Sequence, residues 1–134
     1  MHPLHAFTQP LLDQSAQVAI IAVLALIALD FIIGVTGAVA VHEFSSEKMR
    51  SGLLHKFTEL VCIALGVILD GVLVGGLDLT VQPILLATCG YIIVMETGSV
   101  LELVAKYNPD AQGLVKWLTQ FVRPKGANND VLGE

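Results

Sequence analysis

The stretch "VLALIALDFIIGVTGAVAV", from Val23 to Val41, decides the fold because it is long and apolar enough to cross a membrane. A helix needs about 20 consecutive apolar residues to cross the hydrocarbon layer of a bilayer. The whole apolar run covers about residues 17–41, which is too long for the apolar region of a cleaved signal peptide. We therefore expect a permanent membrane span, with one ionisable residue, Asp30, near its middle.

The composition of the whole chain also indicates a membrane protein. Of its 134 residues, 54% are hydrophobic and 14% are charged, whereas about 25% of the residues in a soluble domain are charged. The net charge of −5 argues against a nucleic-acid partner, because phosphate binding requires a concentrated basic surface. Cys62 and Cys89 both lie in apolar runs, so we expect small buried side chains rather than a disulfide.

Two further segments have the length and composition of membrane spans, at about residues 57–77 and 81–105. Pro83 lies in the first turn of the latter, where its missing N–H group costs little. Residues 42–56 are expected to form a polar connection between the first two spans, and residues 75–80 a tight turn. The fold predicted is therefore a single all-α membrane domain with three transmembrane helices.

The basic residues predict the orientation of the spans, because Lys and Arg mark the cytoplasmic side of a membrane. Lys48, Arg50 and Lys56 fall in the first connection, and the other four follow the third span. The first fifteen residues and the second connection contain no basic residue. The N-terminus is thus expected outside and the C-terminus in the cytoplasm.

A shorter amphipathic helix is expected after the spans, at about residues 109–122. Asn108 suits the cap of this helix and Pro109 its first position. Because this helix is too short to span, we expect it to lie at the membrane interface or on a neighbouring subunit. The proposed interfacial anchors are Trp117, Lys116 and Arg123, and a disordered tail is expected at about residues 125–134.

Each span carries an acidic residue close to the bilayer midplane: Asp30, Asp70 and Glu96. An acid at the centre of a span costs about 2.5–3.5 kcal/mol, and each Leu, Ile, Val or Phe offsets about 0.3–0.6 kcal/mol. With Lys56 assigned to the connection, no basic residue is expected at matching depth, which excludes intramembrane salt bridges. The acids are then expected to be neutral, shared between helices or facing water.

Helical spacing gathers polar and small residues on one side of each span. This side supplies the candidates for pore lining or polar contacts between helices: Asp30, Asp70, Glu96, Glu59, Ser99 and Glu102. It also supplies the candidates for close helix packing: Gly34, Gly37, Ala38 and Gly66. The acids either link the helices of a compact bundle or face water and other subunits, and three acids at one depth favour the second interpretation.

No pattern in the sequence indicates catalysis. His42, Glu43, Glu47 and His55 match no spacing of metal ligands, which favours a solvated connection without a metal site. Phosphate-binding loops, nucleophile elbows and zinc signatures are absent from the sequence. We therefore expect a protein that is not an enzyme and has no cofactor.

The order of these features is similar to that of the toxin-secretion/phage-lysis holin family. "LDFIIGVTGAV" at residues 29–39 resembles the Asp-x-x-x-Gly stretch of its first span, and "SSEKMRSGLLHKFTELVCIALGVILD" at residues 45–70 resembles its first connection and second span. "YIIVMETGSVLELVAKYN" at residues 91–108 resembles the third segment, although Met95 and Leu103 stand where the family often has Asn. The resemblance covers about residues 24–122.

The resemblance implies a phage or prophage holin, which oligomerises in the inner membrane of the host and opens a timed lesion. Endolysin, or in some systems a toxin, then escapes without requiring a direct contact with the holin. The implied partners are further copies of the chain and membrane lipid, and a separate antiholin is compatible with the sequence. Two alternatives stay open: a small ion channel or proton-coupled transporter that uses the acids, and a membrane scaffold.

Overall fold

The structure is a computed structural model that describes residues 3–77 and 82–122, and within these ranges all regular structure is helical. The all-α prediction is confirmed. Five α-helices follow one another along the chain, with a short 3-10 turn, Pro109–Ala111, before the last of them. They are α1 (Pro3–Leu12), α2 (Gln14–Ala40), α3 (Ser46–Leu77), α4 (Pro83–Tyr107) and α5 (Gln112–Val122).

Three of these helices, α2, α3 and α4, are long and apolar enough to cross a membrane. Asp13 caps α2, since its carboxylate accepts hydrogen bonds from the Ser15 hydroxyl and, at 3.3 Å, from the Ala16 N–H. Pro83 occupies the first turn of α4, as predicted. The three long apolar helices agree with the expected number of spans.

Helix α3 begins at Ser46, so most of the stretch predicted as a polar connection is helical. Ser46 and Glu47 at its start are typical of a helix N-terminus, and an acidic residue there complements the helix dipole. Only residues 41–45 separate α2 from α3. The consequence for the site is that Lys56 belongs to α3 and not to a loop.

The three long helices alternate in direction, and α4 packs against both of the others. Gly34 and Gly37 of α2 face Leu103 and Tyr107 of α4, so α2 and α4 run parallel. Gly66 of α3 lies against Leu85 near the opposite end of α4, so α3 runs antiparallel to both. The apolar core comprises Ala16, Val23, Ile63, Leu85, Cys89 and Ile92.

Helix α1 was not expected from the sequence, because it is short and contains polar residues and Pro10. It packs against the last turns of α3, where Phe7 contacts Gly71 closely. A Cβ atom added at Gly71 would lie 2.6 Å from Cδ1 of Phe7, so only glycine allows this approach. The side chain of Gln82 also donates a hydrogen bond of 3.3 Å to the Gln9 carbonyl.

At the C-terminal end, the 3-10 turn and α5 occupy the range expected for the amphipathic helix. Pro109 stands at the first helical position as predicted, but the Asn108 side chain makes no capping hydrogen bond. Trp117 is exposed and packs edge-on against Phe121, with 4.9 Å between the ring centroids, and Lys116 is exposed beside it. Four parts of the predictions lie outside the described residues: Arg123, the expected tail at 125–134, residues 78–80 of the expected turn, and residue 81 of the expected third span.

Candidate functional site: a buried charge cluster between the three spans

A buried lysine joins the acids of two spans. The ammonium group of Lys56, on α3, lies 2.9 Å from Oδ2 of Asp30 on α2 and donates a hydrogen bond to Oε2 of Glu96 on α4. Glu96 is only 1% exposed, and the side chains of Lys56 and Asp30 are 11% and 15% exposed. Each of the three spans thus contributes one charged group to a single cluster.

The prediction that no basic residue lies at the depth of the acids is therefore wrong, and so is the exclusion of salt bridges. Asp30 stands ten residues before the end of α2 at Ala40, and Lys56 stands ten residues after Ser46. At 1.5 Å per residue, both lie about 15 Å from the same end of the bundle. Lys56 was misplaced because the helix was predicted to start at residue 57 instead of Ser46.

A signal for Lys56 was nevertheless present in the sequence. The buried residues of α3 recur at intervals of three and four, which is the spacing of one helix face. Extending the predicted face of Glu59, Cys62, Gly66 and Asp70 by one turn towards the N-terminus would have reached Lys56.

Two more ionisable residues extend the cluster towards the surface of the bundle. Oε2 of Glu59 lies 4.0 Å from the Lys56 ammonium, and Oε1 of Glu59 lies 3.1 Å from Nε2 of His55. The Glu59 side chain is buried, whereas that of His55 is 61% exposed. His55 was expected in a solvated connection, but it lies on α3 and joins the site.

The cluster contains more negative than positive charge. Ionised Asp30, Glu59 and Glu96 face one lysine, which leaves two negative charges when the imidazole is neutral. Within the described residues, Oδ1 of Asp30 and Oε2 of Glu59 are buried without a hydrogen-bond partner. Buried, uncompensated charge is costly, so the cluster requires protons, a cation or access to water.

Two cavities bring the cluster close to the surface. One, of about 260 Å³, lies between the facing ends of α2 and α3 and extends from Glu43 and Lys106 down to Asp30 and Lys56. Its volume corresponds to several water molecules at about 30 Å³ each. The other is a groove of about 620 Å³ between α3 and α4, and it is lined in part by His55, Glu59 and Cys62.

Asp70 does not lie at the depth of Asp30 and Glu96, so the expectation of three acids at one depth is wrong for Asp70. It is fully buried, and its two carboxylate oxygens accept hydrogen bonds of 3.1 Å from the Ile84 N–H and 2.7 Å from the Leu85 N–H. These donors belong to the first turn of α4, where backbone N–H groups have no partner within the helix. Gln82, which precedes that turn, makes no side-chain capping bond, so Asp70 caps α4 from α3.

Of the remaining candidate residues, the glycines pack against a neighbouring helix, whereas Ser99 and Glu102 stay outside the charge cluster. A Cβ atom added at Gly66 would lie 3.2 Å from the Leu85 Cα, and one added at Gly37 would overlap the Tyr107 ring, so helices pack closely at both positions. At Gly34, an added Cβ atom would make only an ordinary contact of 3.7 Å with Leu103. Ala38 lines the cavity between α2 and α3. Among the described residues, the structure brings neither the half-buried Ser99 nor the exposed Glu102 into the cluster.

The two cysteines are both free, as predicted. Cys89 is buried in the core, but Cys62 is exposed in the groove between α3 and α4, so the expectation of burial is wrong for Cys62.

Comparison with known proteins gives one match that covers most of the chain. Residues 12–122 match the bacteriophage holin family. The chain belongs to this family. The matched range includes α2 to α5, and therefore the whole charge cluster and the Asp70 cap. No curated protein and no solved structure matches the chain.

Membership of this family confirms the resemblance found in the sequence. Together with the three apolar helices, it identifies a multi-pass holin of the bacterial inner membrane, from a family that permeabilises membranes and is not an enzyme family.

Proposed function

We propose that this holin assembles laterally with further copies and opens a timed lesion through which endolysin, or a toxin, leaves the host cell. The observation that carries this proposal is the Asp30–Lys56–Glu96 cluster, because it brings charged groups of all three spans together inside the bundle. A membrane scaffold needs no such excess of buried charge.

In the single chain described by the structure, the charged groups of the cluster face one another, and the outer surface is apolar enough to contact lipid. Large apolar side chains are exposed on every span, including Ile32 on α2, Val61 on α3 and Val94 on α4. A dispersed holin is therefore compatible with an intact bilayer.

Opening has to separate at least some of these paired charges. Breaking a buried ion pair costs about 3–5 kcal/mol when its partners stay unhydrated. This cost disappears when water hydrates the separated groups. Several copies whose polar faces surround one water-filled lumen would provide that water. The charge cluster thus favours a cooperative transition of an oligomer over the opening of a single chain.

The described basic residues favour one orientation in the membrane. Lys48, Arg50, Lys106 and Lys116 all lie at the end of the bundle where α2 and α4 finish. We place this end in the cytoplasm and the N-terminus outside. Helix α5 then lies at the inner membrane surface, with Trp117 and Lys116 as its anchors.

The deciding experiment expresses the protein in bacteria that contain a folded cytoplasmic reporter enzyme, and records membrane potential and reporter release together. We expect abrupt release of intact reporter when the potential collapses. Collapse without release would instead establish an ion channel, and a lack of both would establish a scaffold.

A matched pair of variants tests the role of the cluster in this assay. Glu96→Gln removes one buried charge, whereas Glu102→Gln makes the same change at an exposed position on the same helix. We expect the first variant to shift the time of release and the second to behave like the parent protein. Equal behaviour of both variants would contradict a role of the cluster in opening.

A further inference from the structure

His55, Glu59 and Glu96 form a group with the properties of a metal site on the α3–α4 side of the bundle. One ligand atom from each residue lies within 4.8 Å of the other two, and the three residues come from two helices. Glu59 and Glu96 are buried, whereas His55 lies at the surface. His55 and Glu59 also line the groove between α3 and α4, which gives an ion a route from the surface.

An unpartnered oxygen atom and the charge balance both indicate a cationic ligand. Oε2 of Glu59 is buried without a hydrogen-bond partner among the described residues, and the Glu59 side chain is only 9% exposed. Lys56 supplies one positive charge to three carboxylates, which leaves two negative charges without a partner when all three are ionised and His55 is neutral. A single divalent cation balances these two charges without protonating any of the acids.

We propose that His55, Glu59 and Glu96 bind one divalent transition-metal ion of the zinc class. An imidazole nitrogen excludes Mg²⁺ and Ca²⁺ as preferred ions, because both favour oxygen ligands alone. Nε2 of His55 and Oε1 of Glu59 are 3.1 Å apart, close to the roughly 3.4 Å that separates ligand atoms around a tetrahedral zinc ion. Three protein ligands would leave the fourth position of a tetrahedral ion open.

Lys56 would support this site from outside the ligand set. Its hydrogen bond to Oε2 of Glu96 leaves Oε1 of the same carboxylate for the ion. Hydrogen-bonded partners of this kind orient metal ligands in proteins. A bound ion would therefore connect α3 to α4 beside the ion pair that connects α2 to both.

Cobalt titration of the full-length protein tests the proposal, because tetrahedral Co²⁺ absorbs visible light and reports on its ligands. The protein is purified in detergent without a polyhistidine tag, treated with a chelator and titrated with Co²⁺. We expect visible absorption that saturates at one ion per chain, is displaced by Zn²⁺ and is unaffected by a large excess of Mg²⁺. Absence of saturable binding, or displacement by Mg²⁺, would overturn the proposal.

Two histidine variants then locate the ion. His55→Ala removes a ligand at an exposed position, so the fold should persist, and His42→Ala is the control because His42 lies in the turn after α2. Loss of an outer-shell partner alone weakens binding by about 10–100-fold, so loss of His55 should weaken it at least tenfold. Unchanged binding in His55→Ala, or an equal loss in His42→Ala, would show that the ion binds elsewhere.

Discussion

The two ends of the bundle solve the problem of a buried acid in different ways. Asp70 is held by two backbone N–H groups of α4, whose positions are fixed by the helix itself. Asp30 and Glu96 are held by Lys56, a long side chain with a charge of its own. A backbone cap favours a permanent helix contact, whereas an ion pair beside a cavity is open to rearrangement.

The helices also pack more closely around Asp70 than around Asp30 and Lys56. Next to Asp70, Gly66 allows α3 to approach the backbone of α4, and Gly71 allows α1 to approach α3. Next to Asp30 and Lys56 lies a cavity of about 260 Å³. We infer that the Asp70 end holds the unit together while the Lys56 end changes during opening.

The largest effect is expected from Lys56→Met, which removes the only lysine or arginine of the cluster among the described residues. Asp30, Glu59 and Glu96 then lose the ammonium group they share, and the free energy of unfolding should fall by about 3–5 kcal/mol. Unfolding in detergent measures this loss, and Lys48→Met is the control because Lys48 is exposed on the same helix. A variant as stable as the parent would show that the acids do not depend on Lys56.

A smaller effect is expected at Asp70, where substitution by Ala and by Asn should destabilise the protein by different amounts. Asp70→Ala removes a buried cap and should cost about 2–3 kcal/mol of unfolding free energy. Asp70→Asn keeps one capping oxygen but replaces the other acceptor with an NH2 group, so it should lose one of the two hydrogen bonds and cost less than Asp70→Ala. The same unfolding assay compares them, and an equal loss in both variants would show that one remaining capping oxygen does not stabilise the start of α4.

Close packing at the Asp70 end predicts a further, smaller difference between two glycines of α3. Gly66→Ala forces a Cβ atom to within 3.2 Å of the Leu85 Cα and should cost about 1 kcal/mol of unfolding free energy. Gly52→Ala meets no atom within 4 Å and should stabilise the helix by up to about 1 kcal/mol. A stabilising effect of Gly66→Ala in thermal unfolding would show that α3 and α4 separate readily there.

Much of the fold follows from the sequence because hydrophobic runs of about 20 residues leave few structural choices. The three long apolar helices and the C-terminal helix were predictable for this reason. Helix α1 was not, because a short segment becomes helical mainly through its packing, here of Phe7 against Gly71.

Of the residues in the charge cluster, only the acidic ones could be predicted from the sequence. Asp30 and Glu96 stand out in apolar runs, but their shared partner Lys56 lies where a polar stretch continues into an apolar one. Its placement depends on where α3 begins. The cap formed by Asp70 requires knowing which helix N-terminus lies beside it, and that information is tertiary.

The smallest effect is expected at Asp13, which caps α2 at an exposed position as Asp70 caps α4 at a buried one. Hydrogen bonds from the Ser15 hydroxyl and then from the Ala16 N–H hold the pKa of Asp13 below its ordinary value of 3.8. Because the pKa is lowered by folding, the contribution of Asp13 to stability is complete above that value and is lost as the pH falls through the lowered pKa.

Asp13→Asn isolates this contribution, because the amide keeps a capping oxygen but does not titrate. The thermal unfolding temperatures of the parent and Asp13→Asn should differ by a constant amount from pH 7 to about pH 4. Below that pH, the parent should lose its advantage over the variant. A difference that stays constant into strong acid would show that the Asp13 cap acts through geometry alone, like a neutral amide.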